Sequence, residues 1–229
     1  MTFRWMAVIG VVLLAGAGWA EETAVLKTQK DKVSYGIGMN IGKSLKKDAI
    51  DVDADLLVKG LRDSLSGDNT LLSEEEYRAT LTAFQKEMME KQMEASKALA
   101  EKNKKEGEAF LAGNGKKEGV VTLPSGLQYK VIKSGTGKTP KAGDTVETHY
   151  RGTLIDGTEF DSSYKRGQTA TFPVNGVIPG WTEALQKMKE GDKWQLFVPS
   201  NLAYGERGAG RDIGPNATLI FEVELIAVK

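Results

Sequence analysis

A chain of 229 residues can carry one large or two modest domains, each with a core of its own. Its 31 basic residues balance 31 acidic ones, which leaves no electrostatic reason to expect nucleic acid or an anionic membrane surface as partner. With no cysteine and 1 histidine, it has no disulfide framework, no cysteine nucleophile and no metal-binding cluster of thiolates or imidazoles.

Residues 1–20 have a character of their own. Arg4 is the only charge before an apolar run over residues 6–17, and the segment closes Gly18-Trp19-Ala20 ahead of Glu21 and Glu22. A positive start, a short apolar stretch and small residues at the two cleavage positions predict a secretory signal peptide cut after Ala20. The run falls short of the roughly 20 residues needed to span a bilayer, so no integral anchor is expected after cleavage. Nor is there a cysteine at the junction to carry a lipid. The expected location is the periplasm or the exterior, association with the outer membrane included.

Residues 21–93 read as an all-α arm. Val33, Ile37, Ile41 and Leu45 recur every four residues, as do Leu57, Leu61 and Leu65, whose helix should stop at Gly67. A third helix opens with Ser73 and Glu76 in capping-box spacing, and its apolar stripe runs Tyr77, Leu81, Phe84, Met88. Three helices with one stripe each cannot cover those stripes alone, so a second copy of the arm, hence a homodimer, is expected. Met88, Met89 and Met93 end the stripe, either as adaptable core filling or as a client-binding surface.

Beyond Met93 the stripe fades while helix formers continue. Residues 94–119 are expected to be a polar linker helix and a hinge, with the helix reaching Leu111 and spanning roughly 55–60 Å from Ser73.

From residue 120 to 229 the pattern changes to strands. Leu127, Tyr129 and Val131 alternate, followed by Val146, Thr148, Tyr150 and Leu154, then Trp194, Leu196 and Val198, then Leu219, Phe221, Val223 and Leu225. Asp156-Gly157 marks a tight hairpin. One helix is visible, over residues 181–189, with Trp181, Leu185 and Met188 on one face and Gly191 past its end. An antiparallel sheet with one packed helix makes this part α+β.

Conventional catalysts are scarce. His149 lies between inward-facing Thr148 and Tyr150, so alternation points it to solvent. Gly205, Gly208 and Gly210 lack the strand-then-helix context of a phosphate loop. The domain does have aromatic residues on several strands and at the helix start: Tyr150, Phe160, Trp181, Tyr204 and Phe221, with Asp161 directly after Phe160. Singly, each could simply be core.

Their contexts are distinctive. The runs GDTVETHYRGTLIDGTEFDSS, VIPGWTEALQKMKEGDKWQLFVPS, LAYGERGAG and NATLIFEVELI resemble, in order and spacing, the FKBP family of macrolide-binding prolyl isomerases. The arm, with its VSYGIG start, is similar to the dimerisation region of macrophage-infectivity-potentiator-like periplasmic FKBPs of bacteria. The resemblance implies a half-barrel sheet of five or six strands wrapped on one short helix, with an apolar pocket between them. It implies Trp181 as the pocket floor, Val177 and Ile178 on the segment leading to it, and Ile213 as a further substrate contact. Tyr150, Phe160 and Phe221 would be walls, and the Tyr204 hydroxyl and Asp161 carboxylate polar groups at the rim. Asp161, Tyr204, Tyr150 and Phe221 carry the implied catalytic roles. The sequence departs from the family at Ala170, aligned where many members have an aromatic wall, and at Ala209, where many have histidine; both suggest a wider or shallower pocket.

The function implied is peptidyl-prolyl cis/trans isomerisation assisting the folding of exported proteins. No cofactor is needed, because the reaction makes and breaks no bond. Partners would be unfolded or proline-containing polypeptides, a second copy of the chain and macrolide inhibitors. A non-catalytic chaperone that holds prolyl peptides is the competing reading. An envelope structural or adhesion protein would predict repeats, and none are visible.

Overall fold

The computed structural model describes residues 26–67 and 70–229, so the expected signal segment lies outside the described residues. Two units are distinguishable, one ending at Ser73 and one running from Glu74 to Lys229.

In the first unit, α1 (Gln29–Lys47) opens with a reciprocal cap. The Thr28 hydroxyl accepts from the Asp31 N–H at 3.1 Å, and the Asp31 carboxylate accepts from the Thr28 N–H at 2.8 Å. Lys46 and Lys47 lie at the negative end of the helix dipole. In α2 (Ala54–Ser66), Asp53 accepts from the N–H groups of Asp55 and Leu56. The helix stops at Gly67, whose φ of 74° is the left-handed conformation that glycine tolerates best. Neither helix buries a residue: Ile37 stays 57% exposed and Leu65 80%.

The second unit opens with α3 (Glu74–Asn114), an unbroken helix of 41 residues that continues past Leu111. Its first half leaves Leu81 and Phe84 more than one-third exposed. Its last turns differ from the solvated spacer expected from composition. Gly107 and Asn114 are buried, and Phe110 packs against Phe197 with ring centroids 6.0 Å apart. Asn114 Nδ2 donates to Gln128 Oε1 at 3.0 Å, and Gln128 Nε2 donates to the Leu111 carbonyl at 2.9 Å, closing the helix end onto the sheet. Beside Phe110, the docking face uses glycine and asparagine, which hydrophobic periodicity does not register.

The sheet comprises β1 (Val120–Thr122), β2 (Gln128–Lys133), β3 (Thr145–Leu154), β4 (Glu159–Ser162), β5 (Ala170–Pro173), β6 (Lys193–Val198) and β7 (Leu219–Val228). All pairings are antiparallel, in the order β1-β2-β6-β7-β3-β4, and β5 also pairs with β3. The sheet thus has seven strands where the resemblance implied five or six. Asp156-Gly157 forms the β3–β4 turn, with Gly157 at φ 89° and the Asp156 carboxylate accepting from the Thr158 N–H. The free side of β3 is divided: residues 145–148 pair with β5 and residues 151–153 with β4.

The short helix α4 (Pro179–Leu185) also packs on the sheet. It starts two residues earlier than expected, because Pro179 suits the first turn, and it gives way to turns before Met188. Leu185 and Met188 still bury fully, with Leu127, Val146, Leu196, Val198, Leu219, Val223 and Leu225. On β7 the alternate residues Glu222 and Glu224 lie outside this core, and Glu222 pairs with Lys193 at 2.7 Å.

Candidate active site

Between the sheet and α4 lies a cavity of about 630 Å³. Gly180 lets the start of α4 approach β6, since a Cβ there would meet Val198 at 2.6 Å. The next residue, Trp181, is thereby set at the cavity, 4% exposed. Tyr150 and Phe221 stand edge-on to its ring at centroid distances of 5.3 Å, and Phe172 at 5.9 Å. Phe160 is edge-on to Phe221 at 5.6 Å. Such perpendicular pairs suit aromatic quadrupoles and hold one another in place.

The residues singled out from the sequence, Asp161, Tyr204, Tyr150, Phe221, Phe160, Val177, Ile178, Trp181 and Ile213, all line this cavity. So does Ala209, at the position where many members of the resembled family have histidine. The expectation drawn from Ala170 needs correction. Ala170 and Phe172 share the inward face of β5, and the Phe172 ring lines the cavity, so the wall has an aromatic ring one pleat further along.

The polar side is organised around Asp161. The Tyr150 hydroxyl donates to Asp161 Oδ2, Arg166 Nη1 donates to Oδ1, and the Ser162 N–H donates to Oδ1 at 2.8 Å. Arg166 Nη2 also donates to the Tyr150 hydroxyl oxygen at 2.8 Å. Burial by itself would raise the Asp161 pKa, but the hydrogen bonds from Tyr150 and Arg166 and the guanidinium charge outweigh it and hold the carboxyl below its ordinary range. Burial, then the bond to Asp161, pushes the Tyr150 phenol up. At neutral pH the site therefore has a carboxylate, a neutral phenol and a guanidinium in fixed relation. Tyr204 stands at the rim, 41% exposed.

His149 is on the opposite face of β3 from Tyr150, as alternation predicts, but it does not stand free in solvent. Its ring stacks on Tyr164 at 4.7 Å, and its Nδ1 lies 3.0 Å from Ser163 Oγ. Sequence reasoning missed Arg166 and Asp212. Asp212 lines the cavity, and nothing in the local pattern around either residue marks it. Among the described residues no group of three or more histidine, cysteine or acidic side chains is placed to hold a metal, and no helix is long and apolar enough to cross a membrane.

Two family models match the chain. Residues 136–226 match the FKBP-type peptidyl-prolyl cis-trans isomerase, and residues 30–131 match the domain amino terminal to FKBP-type peptidyl-prolyl isomerase. The outer membrane protein MIP of Legionella longbeachae is 50% identical over 97% of this chain and 95% of its own length. The peptidyl-prolyl cis-trans isomerase Mip of Coxiella burnetii is 48% identical over 96% of both chains. The crystal structure of FkpA from Escherichia coli superposes with a TM-score of 0.69 at 39% identity, covering 90% of this chain and 99% of that one.

Proposed function

Because the chain belongs to the FKBP-type peptidyl-prolyl cis-trans isomerases, we propose that its isomerase activity resides in the aromatic cavity, which takes X–Pro segments of exported polypeptides. The observation that carries this reading is the set of rings standing edge-on around buried Trp181, with Asp161, Tyr150 and Arg166 joined at one side. A flat apolar floor bounded by upright rings fits a pyrrolidine.

Rotation about an X–Pro bond interrupts amide resonance against a barrier of about 18–20 kcal/mol, and no bond is made or broken. The twisted amide has less charge separation than the planar one. An apolar cavity therefore disfavours the ground state more than the transition state, and only such a difference accelerates the reaction. Polar groups would add to it: Tyr204, at the rim, by donating to a peptide carbonyl, and Asp161 by acting on the rotating group. An acceleration of about 10⁶ needs about 8 kcal/mol in total. Arg166 and Tyr150 keep the Asp161 carboxylate oriented and ionised while that happens.

The decisive experiment is a protease-coupled assay on a prolyl tetrapeptide, comparing the chain from Glu21 with its Trp181→Ala variant. Loss of activity in a folded variant supports the reading; full activity overturns it. Macrolide inhibitors should compete for the same cavity, where Phe172 supplies a ring to the wall and Ala209 contributes only a methyl group.

The exposed stripes on α1, α2 and the first half of α3 support a second element of the reading: residues 24–90 pair with the same region of another copy, each stripe being covered across the dimer. A stripe that instead held unfolded clients would make the arm a chaperone surface. Removal of residues 1–20 on export would place the mature chain in the periplasm or outside the cell.

A further inference from the structure

The loop 199–218, between β6 and β7, forms one wall of the cavity through Tyr204, Ala209, Asp212 and Ile213. Its tip is a small antiparallel bridge: the Ala209 N–H donates to the Ile213 carbonyl at 2.8 Å, and the Ile213 N–H to the Ala209 carbonyl at 3.2 Å. Gly208, at φ 65°, makes this closure possible, since a Cβ there would lie 2.2 Å from the Ile213 oxygen. The bridge ties Ala209 to Ile213, whose side chain is itself buried in the core, and the base of the loop is held separately.

That base is gripped by α3. Asn103 Nδ2 donates to the Pro215 carbonyl at 2.8 Å. Gly107 closes directly on Thr218: a Cβ on Gly107 would meet Thr218 Oγ1 at 2.3 Å and its Cβ at 3.2 Å. One turn before Asn103, Leu99 packs on Gly214, with its Cδ2 3.1 Å from where a Cβ would be. Leu99, Asn103 and Gly107 follow one another at steps of four on a single face. A groove of about 290 Å³ between this face and the loop shares Asp212 with the aromatic cavity. The segment 212–214 therefore has substrate space on one side and α3 on the other.

We propose that α3 is part of the active-site architecture: Asn103 and Gly107 are positioning residues that set Ile213 and Asp212 against the substrate through the base of the loop. This rests on the aromatic cavity being the isomerase site. The loop wall touches the substrate away from the Trp181 floor, so its placement governs fit to the residue flanking the proline as well as binding of the proline. A displacement of about 1 Å at such a wall is large on the scale at which catalytic geometry matters.

The test uses the full chain and a panel of tetrapeptides differing in the residue before proline, with kcat and KM separated. Gly107→Ala drives a methyl group into Thr218, and Asn103→Asp keeps the shape of the side chain but cannot donate to Pro215 when ionised. Each should lower kcat/KM by about threefold to tenfold, mainly through KM, and unequally across the panel. Lys105→Ala, on the opposite face of α3, should change nothing. In Gly107→Ala/Thr218→Ala the clash with Oγ1 is relieved, and part of the lost kcat/KM should return. Folding of each variant is followed by its urea midpoint. A lower midpoint with kcat, KM and the panel profile unchanged would make α3 a mere brace and overturn the proposal. Should Gly107→Ala fail to fold, the half-buried Asn103→Asp decides alone. Trp181→Ala in the same panel separates the two claims: if it stays active the cavity reading falls, whereas unchanged Asn103 and Gly107 variants beside an inactive Trp181→Ala remove only the role of α3.

Discussion

Gly152 holds open the space that the Phe160 ring occupies. A Cβ on Gly152 would lie 2.6 Å from Phe160 Cε2 and Cζ, and 2.9 Å from Phe221 Cε1. Gly152 pairs with Phe221 on β7 and with Asp161 on β4, so the point where three strands meet has no side chain and the two rings fill it. Both rings line the cavity. Gly152→Ala should therefore displace a cavity wall, lowering kcat/KM about tenfold or more and costing about 1–3 kcal/mol of stability by overpacking. Tetrapeptide kinetics alongside a urea titration check both; a variant with wild-type kinetics would show that the walls can shift freely.

The polar side of the cavity should contribute less than its floor but measurably. Asp161→Leu and Tyr204→Phe should each lower kcat/KM by roughly tenfold, about 1.4 kcal/mol of transition-state stabilisation. His149→Gln should leave the rate unchanged, because its ring lies across the sheet against Tyr164. An inactive His149→Gln beside an active Asp161→Leu would reverse these roles.

The charge states predict a broad pH plateau. Asp161 has a depressed pKa in the folded chain, so its ionised form contributes to stability above its ordinary value of about 3.9 and that contribution is lost as acid protonates it. Tyr150 has a raised pKa, so its neutral form contributes below about 10 and is lost as pH rises through the folded value. Between these limits the Asp161–Tyr150–Arg166 arrangement does not titrate. Activity measured on the enzyme should be flat from about pH 5 to pH 9. An inflection inside that window would show that a group outside this arrangement controls the rate.

Strand alternation and helix stripes made much of this fold legible: the inward set of β7 and the packed face of α4 follow directly from Leu219, Phe221, Val223, Trp181 and Leu185. The rings of the cavity were legible through their motif contexts. Two kinds of feature were not. Arg166 sits in a polar turn where one arginine looks like any other, and only the folded chain brings it to Asp161. Beside Leu99 and Phe110, the docking face of α3 is made by what side chains lack. Gly107 contributes a gap, and Asn103 and Asn114 contribute amide donors, so a scale that weighs apolar surface sees an ordinary solvated helix. Phe172 shows a third limit, since aligning one position at Ala170 hid a ring two residues on that occupies the same face.

Where the catalytic unit begins can be tested by truncation. A chain starting at residue 94 keeps Leu99, Asn103 and Gly107 against the loop 199–218. One starting at residue 115 loses Asn103, Gly107, Phe110 and Asn114, which uncovers Phe197 and leaves buried Gln128 without its two partners. The longer fragment should turn over tetrapeptides at nearly the full-length rate, while the shorter one should melt at least several degrees lower. Equal melting temperatures for the two would mean that the helix end adds nothing to the fold.

The arm gives the last prediction. Ile37, Leu61 and Leu65 are each more than half exposed, and Leu81 and Phe84 more than one-third, whereas Leu127, Val146, Leu185, Leu196 and Leu219 are buried in the sheet core. Burying a leucine or isoleucine side chain is worth about 1.5–3 kcal/mol, so several covered together would hold two copies firmly at micromolar concentration. Light scattering on the chain from Glu21 should therefore report a dimer. Leu81→Glu should dissociate it, because a carboxylate buried at an apolar interface without a partner is costly, whereas Lys97→Glu, on an exposed turn beyond the stripe, should not. Two cavities on one scaffold raise the effective concentration for a long client without altering chemistry on a short peptide. The Leu81→Glu monomer should accordingly keep tetrapeptide turnover and lose efficiency in refolding a protein limited by proline isomerisation. A wild-type chain that scatters as a monomer with its helices intact would remove the dimer, and a Leu81→Glu monomer that refolds such a client as well as the dimer would remove the reason for one.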